Sequence, residues 1–304
     1  MDTIIPEEDG IILKAIEDGV FAKMNLGFDL SELNILDNVN ASQRKIEELG
    51  VKIAASNQEL TAAILGIAHS IYFDHSAHGG VPDFFDAVMR MGADRVKVFI
   101  FSLSLFSLGK GPEARLRAAK SASIGVLGRI VAEQLNLNEE SIRRVETGGL
   151  LSQLGKNVLM KSRELGAELS DEFIQKYEVH LATALIDRLK LDPFLKKAVD
   201  MSVLEFEESS FSLAGIIKLA EAVTEDSFRR YGKLVLKSPM PDDNNILFRT
   251  EGDDVRKLFL VLGVEEFIEI QEVPTQRQEE AITKKEKANA KKRQLNVDRL
   301  KGEG

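Results

Sequence analysis

The side chains best suited to bind a metal are the four histidines, because the sequence contains no cysteine. His75 and His78 lie three residues apart with Asp74 beside them, a spacing that could hold a metal on one helical turn. These residues stand in the glycine-rich segment DHSAHGG, however, and His69 belongs to an apolar helical pattern. Ordinary loop polarity is therefore the preferred interpretation of His75 and His78, with an adventitious surface metal site as the alternative.

Phosphate and nucleophilic chemistry find little support in the sequence. The segment LGKG at 108–111 is rich in glycine, but it lacks the spacing of a P-loop and no predicted strand precedes it. A nucleophilic triad needs a base beside a serine, and the four histidines form no recognisable motif of that kind. Neither a P-loop nucleotide site nor a serine-type hydrolase is predicted.

Charge is distributed unevenly along the chain. The formal net charge is -9, so no overall basic field favours a nucleic acid or an anionic membrane. Residues 274–304 nevertheless contain nine Lys/Arg and five Asp/Glu, and we expect a solvated helix or a disordered tail there. Polar contacts of this tail with nucleic acid or an acidic membrane are an alternative, and they would involve its densest cations, Lys284, Lys285, Lys287, Lys291, Lys292 and Arg293.

Length and composition are those of an ordinary globular protein. The 304 residues allow one large or two modest domains, with 44% hydrophobic and 29% charged residues. The N-terminus, MDTIIPEEDG, is acidic and lacks the layout of a secretory signal. Since no uninterrupted apolar stretch reaches about 20 residues, the sequence predicts a cytoplasmic protein without a membrane span.

Helical periodicity predominates between residues 20 and 232. In the segment 146–160, ETGGLLSQLGKNVLM, the apolar residues recur at helical spacing and predict a helix with a broad apolar face. Gly148 and Gly149 each cost about 1 kcal/mol relative to alanine inside such a helix. Close packing or a local bend is therefore expected at these two glycines.

Several helix starts are marked by capping residues. Ser56 with Glu59 has the form of a capping box, and Asn138 precedes two glutamates that suit a helix N-terminus. Ser170 begins a further helix, and Asp192-Pro193 has the order of an N-cap followed by the first helical residue. We therefore predict an all-α domain over this part of the chain.

The pattern changes after Gly232. The segments KLVLK and NILFRT have strand-like composition, and a helix is predicted from Asp253 to Leu262, closed by Gly263. The predicted organisation is an acidic lead-in over 1–19, a helical domain over 20–232, a small α/β appendage packed on it over 233–273, and a charged tail over 274–304.

Three segments carry a family resemblance. GLLSQLGKNVL at 149–159 resembles the GLLHDIGK segment of the HD superfamily, in the HDOD (HD-related output domain) branch. LTAAILGIAHSIYF at 60–73 and VPDFFDAVMRMGADRVKVFIFSLSL at 81–105 resemble two further HDOD segments, and they occur in the family's order. The resemblance extends over about two-thirds of the chain and implies an HD-superfamily-like helical domain.

The resemblance also implies where the hydrolases of the superfamily bind metal. The His-Asp pair that names them is replaced here by Ser152 and Gln153, which offer only neutral oxygens. The best match to the histidine on the preceding helix is Lys120, an ammonium without a lone pair. We therefore expect no metal, no cofactor and no catalytic residue at these positions.

Two positions keep a suitable ligand type by the same resemblance. His180 matches a later family histidine and Glu221 matches a family aspartate, whereas residues 201–203 replace an often-paired histidine motif. One imidazole and one carboxylate are too few for a tight hydrolytic centre. We interpret His180 as a core histidine satisfied by a hydrogen bond, and we expect Lys120 to pair with Glu221 or Glu146.

Lys120, Ser152, Gln153, His180 and Glu221 together are predicted to form a vestigial pocket. The favoured hypothesis is a non-catalytic regulatory module that acts through protein–protein contacts or small-ligand binding, and what the family implies is a role in bacterial signal transduction. Because no signalling domain is fused to it, its signalling partner would act in trans. The alternative is a divergent metal-dependent HD phosphohydrolase acting on a nucleotide or cyclic dinucleotide. A third hypothesis, nucleic-acid binding through the tail, predicts salt-dependent affinity.

Overall fold

The computed structural model describes residues 5–23, 30–38, 42–68, 83–107, 111–199, 212–239, 255–256, 258–260 and 262–273. Within these ranges the chain is predominantly helical, and two short strands form one small sheet. The predicted mainly all-α fold with a small α/β appendage is confirmed in the described part of the chain. Each helix of these ranges is too short or too polar to cross a bilayer.

The described helices and strands are numbered in chain order. The α-helices are α1 Glu7–Lys23, α2 Gln43–Ser56, α3 Gln58–Ala68, α4 Phe84–Met91, α5 Ala93–Ser107, α6 Pro112–Gln134, α7 Glu139–Leu151, α8 Leu154–Glu164, α9 Asp171–Arg188, α10 Phe194–Val199 and α11 Leu213–Tyr231. The strands are β1 Leu234–Pro239 and β2 Ile268–Val273, and two 3-10 helices span Leu30–Asp37 and Glu265–Phe267.

Helices α6 and α7 approach each other closely through glycine. A Cβ atom on Gly149 would lie 2.8 Å from the Cα atom of Gly125, closer than side chains pack. Gly148 faces Ile217 and Ala198 with similarly little space. The close packing expected at Gly148 and Gly149 is therefore confirmed, and it brings α6, α7 and α11 together.

The single helix predicted across 146–160 is wrong, because the chain turns between α7 and α8. The Ser152 hydroxyl donates to the Gly149 carbonyl at 2.8 Å, and Gln153 leaves the helical conformation with φ -103° and ψ 17°. The turn lays α8 on α9 so closely that a Cβ on Gly155 would lie 1.7 Å from the Glu178 carbonyl oxygen. This contact between distant segments favours the turn, and local periodicity does not encode it.

Helix caps follow the predictions with one exception. The Asn138 side chain accepts a hydrogen bond from the Ser141 amide at 2.8 Å, as expected for the start of α7. At the start of α3, however, the Asn57 side chain accepts from the Leu60 amide at 2.9 Å. The Ser56 capping box is therefore wrong, since Ser56 is the last residue of α2 and an asparagine follows it.

The N-terminal segment is a helix packed on the domain. Helix α1 buries Leu13 and Ile16, and its Asp9 accepts a hydrogen bond from the Tyr177 hydroxyl on α9. Near its other end, Glu17 pairs with Arg188 at 3.1 Å. The boundary predicted at residue 19 thus falls inside α1, which crosses it without a break.

The appendage contains a parallel pair of strands. Leu234 of β1 lies opposite Ile268 of β2, and a parallel pair requires a crossover connection. Described residues of that crossover, 255–256 and 258–260, are helical, and Gly263 follows them at φ +66°. The KLVLK strand is confirmed. Of the helix predicted from Asp253 to Leu262, the described residues 255–256 and 258–260 are helical and Leu262 lies in a turn. The predicted NILFRT strand lies outside the described residues.

The appendage shares the main hydrophobic core of the helical domain. Leu234 and Phe259 belong to the same buried cluster as the helices, and the Phe228 ring of α11 stacks on Phe267 at 6.2 Å. Arg115 of α6 donates to the Gly263 carbonyl oxygen at 3.0 Å. A second apolar cluster joins α6, α7, α10 and α11, and consists of Ile124, Ala132, Ile142, Val145, Ala198, Ile216, Ile217 and Ala220.

Candidate functional site

The structure brings two of the five predicted pocket residues into direct contact. The Gln153 amide at the turn after α7 donates to a Glu221 carboxylate oxygen of α11 at 3.4 Å. Gln153 is buried and Glu221 is half-buried. The α7–α8 turn therefore presents Gln153 toward α11, and the amide satisfies part of the Glu221 carboxylate.

A further carboxylate of this site, Glu178 on α9, was not predicted. Burial raises the pKa of the Glu178 carboxyl, the Lys156 charge opposes that rise, and the Glu221 charge adds to it. Glu178 and Glu221 thus interact across the pocket as like charges. The apolar period of α9 could have revealed Glu178, because it follows Ile174 by one helical turn on the buried side.

Lys120 pairs with a carboxylate that differs from both of its predicted partners. Its ammonium lies 2.8 and 2.6 Å from the two carboxylate oxygens of Glu225, one turn beyond Glu221 on α11. It also lies 5.9 Å from the centroid of the Phe228 ring. The expected Lys120–Glu221 or Lys120–Glu146 pair is wrong, because the contact of α6 with α11 places Glu225 opposite Lys120.

Glu146 is instead part of a buried charge group. Arg95 of α5 donates to one Glu146 carboxylate oxygen, and the other oxygen lies 3.9 Å from an Arg129 guanidinium nitrogen. The Glu146 side chain is only 2% exposed. The two arginines neutralise it in the interior, away from the Lys120 pair.

Ser152 and His180 do not contribute ligands to the pocket. The Ser152 hydroxyl donates its hydrogen bond to the Gly149 carbonyl at the α7–α8 turn. His180 is exposed, so its interpretation as a core histidine is wrong. Because α8 packs on α9 at Glu178, a residue two positions later points to the other side of the helix.

Beside the Lys120 pair, α6 and α11 form an open cleft of about 820 Å³. Its apolar lining includes Leu116, Ala222 and Phe228, and its charged lining includes Lys120 and Glu225. Arg229 and Asp226 lie at the same cleft and pair with each other. The cleft therefore joins apolar walls to ion pairs that partly face water.

Residues 32–191 match the HDOD domain family, and the chain belongs to that family. No curated protein matches the chain.

The chain is similar to three solved structures. One is an HDOD domain protein of unknown function from Geobacter sulfurreducens, 17% identical, covering 77% of this chain and 85% of that one, with a TM-score of 0.43. The second is a "Putative phosphohydrolase" from Shewanella amazonensis SB2B, 16% identical, covering 84% and 96%, with a TM-score of 0.45. The third is a "Putative metal-dependent phosphohydrolase" from the same organism, 14% identical, covering 85% and 89%, with a TM-score of 0.46.

The residues at the pocket do not fit the divalent metal that the HD hydrolases imply. Lys120 supplies a cation, the Ser152 hydroxyl is engaged by the backbone, and His180 lies on an exposed helix face. Across the described ranges, no group of three or more His, Cys, Asp or Glu side chains is placed to hold a metal ion. His69, His75, His78, the segment 201–203 and the tail 274–304 lie outside the described residues.

Proposed function

We propose that this HDOD protein is a non-catalytic signal-transduction module that acts through small-ligand or protein–protein contacts. The observation that supports this most is the Lys120–Glu225 pair, at 2.6 Å, at a position where the family resemblance places a metal ligand. A divalent ion there would meet an ammonium already bound to a carboxylate, and like charges repel. The pocket is therefore organised by its own side chains.

The hydrogen bond between Gln153 and Glu221 supports the same proposal. The Gln153 amide occupies part of the accepting capacity of the Glu221 carboxylate, and Gln153 stands at the position where the hydrolases have the aspartate of the His-Asp pair. Glu178 lies close enough to Glu221 for their charges to interact, but the Gln153 amide and the Lys156 charge compensate part of that repulsion. The side chains of the chain itself therefore supply the polar contacts of Glu221 and part of the charge compensation of Glu178.

A phosphoesterase assay tests the proposal. The full chain, supplied in turn with Mn²⁺, Fe²⁺ and Zn²⁺, is expected to hydrolyse bis(p-nitrophenyl) phosphate and cyclic dinucleotides no faster than the metal alone. The matched variant is Glu221→Gln, which removes the retained family carboxylate with little change in shape. Hydrolysis by the unaltered chain that disappears in Glu221→Gln would overturn the proposal and establish the phosphohydrolase alternative.

A signalling role also requires a partner, which we propose acts in trans. The pocket surface that this partner or its ligand would sense includes Lys120 and Glu225, both of which have part of their side chains in water. An exposed pair of this kind exchanges partners at little cost, since its net stabilisation is small. The site can therefore respond to binding without unfolding its surroundings.

A further inference from the structure

The cleft between α6 and α11 has the size and lining of a small-molecule site. Its volume of about 820 Å³ lies within the range of about 300–1,000 Å³ that is common for ligand pockets. Leu116 and Ala222 supply apolar surface on its two walls, and Phe228 presents an aromatic ring that is 8% exposed. The apolar part of a ligand would therefore contact mainly Leu116 and Ala222, together with the small exposed part of Phe228.

The different exposure of Lys120 and Glu225 in the cleft favours a negatively charged ligand. The Lys120 side chain is 21% exposed, whereas Glu225, which holds it, is 47% exposed. An incoming anion can take the place of the Glu225 carboxylate, which then turns into water. A cation would instead have to displace the more enclosed Lys120. Replacing the Glu225 carboxylate with a ligand carboxylate is therefore easier than replacing Lys120, and the cleft favours an anionic ligand.

The remaining charged pair at the cleft does not oppose this choice. Asp226 receives salt bridges from both Arg229 and Arg230, so its charge is already compensated there. The guanidinium hydrogen bond from Arg229 lowers the pKa of the Asp226 carboxyl, so the pair stays ionised at neutral pH. Within the cleft lining, Lys120 and Arg229 balance Glu225 and Asp226, so no net charge there repels an anionic ligand.

We propose that this cleft binds a small amphipathic anion, with its carboxylate on the Lys120 ammonium and its apolar body between Leu116 and Phe228. This inference rests on the proposed non-catalytic function and names the ligand class. Phe228 also stacks on Phe267 of the appendage, at 6.2 Å between ring centroids. A ligand in the cleft would thus contact the ring through which the helical domain meets the appendage.

The probe for this proposal is naphthalene-2-carboxylate, with the uncharged naphthalene-2-carboxamide as its isostere. Titration calorimetry on the full chain at low ionic strength should show saturable binding of one carboxylate per chain. The carboxamide should bind at least about tenfold more weakly, because a charge-assisted hydrogen bond to Lys120 is lost. Equal binding of the two probes would overturn the proposal.

Two variants with opposite expected effects locate the site. Lys120→Gln should weaken carboxylate binding by about tenfold or more, whereas Glu225→Gln should tighten it by about threefold, because the competing carboxylate is removed. Arg143→Gln, on α7 and paired with the exposed Glu139, is the control and should leave the affinity unchanged. Circular dichroism checks that each variant is folded.

The results that would contradict the anion site differ from those that would contradict the proposed non-catalytic function. Absence of saturable binding, or a Glu225→Gln variant that binds no tighter than the unaltered chain, would exclude an anion on Lys120. Neither result bears on phosphoester hydrolysis, which the metal-supplemented assay measures separately. Hydrolysis that depends on Glu221 would overturn the function even if the probe bound.

Discussion

Two ion pairs of this protein join helices that are far apart in the sequence, but in different surroundings. Arg95 and Glu146 connect α5 with α7 and are 7% and 2% exposed. Lys120 and Glu225 connect α6 with α11 and are 21% and 47% exposed. The first pair is confined by packed helices, whereas the second borders an open cleft.

The difference shows how one helical framework can contain both a fixed and an adjustable charge contact. Breaking the buried pair would leave charges that water does not reach, so this contact can rearrange only at a large cost in free energy. The partly exposed pair loses little when it opens, because water solvates both ends. We therefore expect the Arg95–Glu146 region to determine stability and the Lys120–Glu225 region to determine binding.

The largest expected effect is that of Glu146→Gln. It removes the carboxylate of a buried ion pair, and we expect a loss of about 3 kcal/mol or more in the free energy of unfolding, measured by urea denaturation. Glu133→Gln is the control, because Glu133 also pairs with Arg129 but is 39% exposed. A loss no greater than that of the control would show that the buried pair does not determine stability.

The second largest effect on stability is expected for Gly155→Ala. Its new Cβ atom would lie 1.7 Å from the Glu178 carbonyl oxygen, a backbone atom that cannot move alone. We expect a loss of about 2–3 kcal/mol in the free energy of unfolding. Gly66→Ala has open space and should stabilise α3 by about 0.5–1 kcal/mol. If Gly155→Ala also stabilises the protein, Gly155 of α8 must lie farther from the Glu178 carbonyl oxygen of α9 than this distance indicates.

Glu178→Gln should have a smaller effect, and one that depends on pH. Burial raises the pKa of Glu178 above 4.5, so its ionised form is less favourable in the folded chain. At pH 7 the substitution should therefore stabilise the protein, by less than about 1 kcal/mol because the group is half in water. The gain should diminish as pH falls through the raised pKa and vanish below 4.5. A gain that is constant with pH would contradict this assignment.

The smallest effect is expected at the cleft. A double-mutant cycle with Lys120→Gln and Glu225→Gln should give a coupling energy of about 0.5 kcal/mol or less, and salt should reduce it. A coupling of several kcal/mol that resists salt would place this pair in the same class as Arg95–Glu146, and the distinction between the two regions would fail.

Local signals in the sequence predicted much of the fold. Asn138 caps α7 because a short polar side chain before a helix satisfies its first amides, and that rule needs no distant contact. The glycine pair at 148–149 predicted close packing because glycine inside a helix requires compensation. The break after Leu151 escaped prediction, since it depends on Gly155 meeting α9.

The site was predictable only in part, because its residues meet through tertiary packing. The positions of Lys120 and Glu225 on separate helices do not reveal which carboxylate Lys120 reaches, and one helical turn separates Glu225 from Glu221. On α9, a shift of two positions separates the exposed His180 from Glu178, which interacts with the pocket. A sequence match of residue types does not determine which side of a helix faces a cleft.

The most direct test of the proposed metal-independent pocket is the metal content of the full chain after equilibration with Mn²⁺ and desalting, measured by plasma mass spectrometry. The Lys120–Glu225 pair and the Gln153 bond to Glu221 predict far less than one manganese per chain, with no difference in Glu221→Gln. Retention of one manganese per chain, lost in Glu221→Gln, would contradict the account.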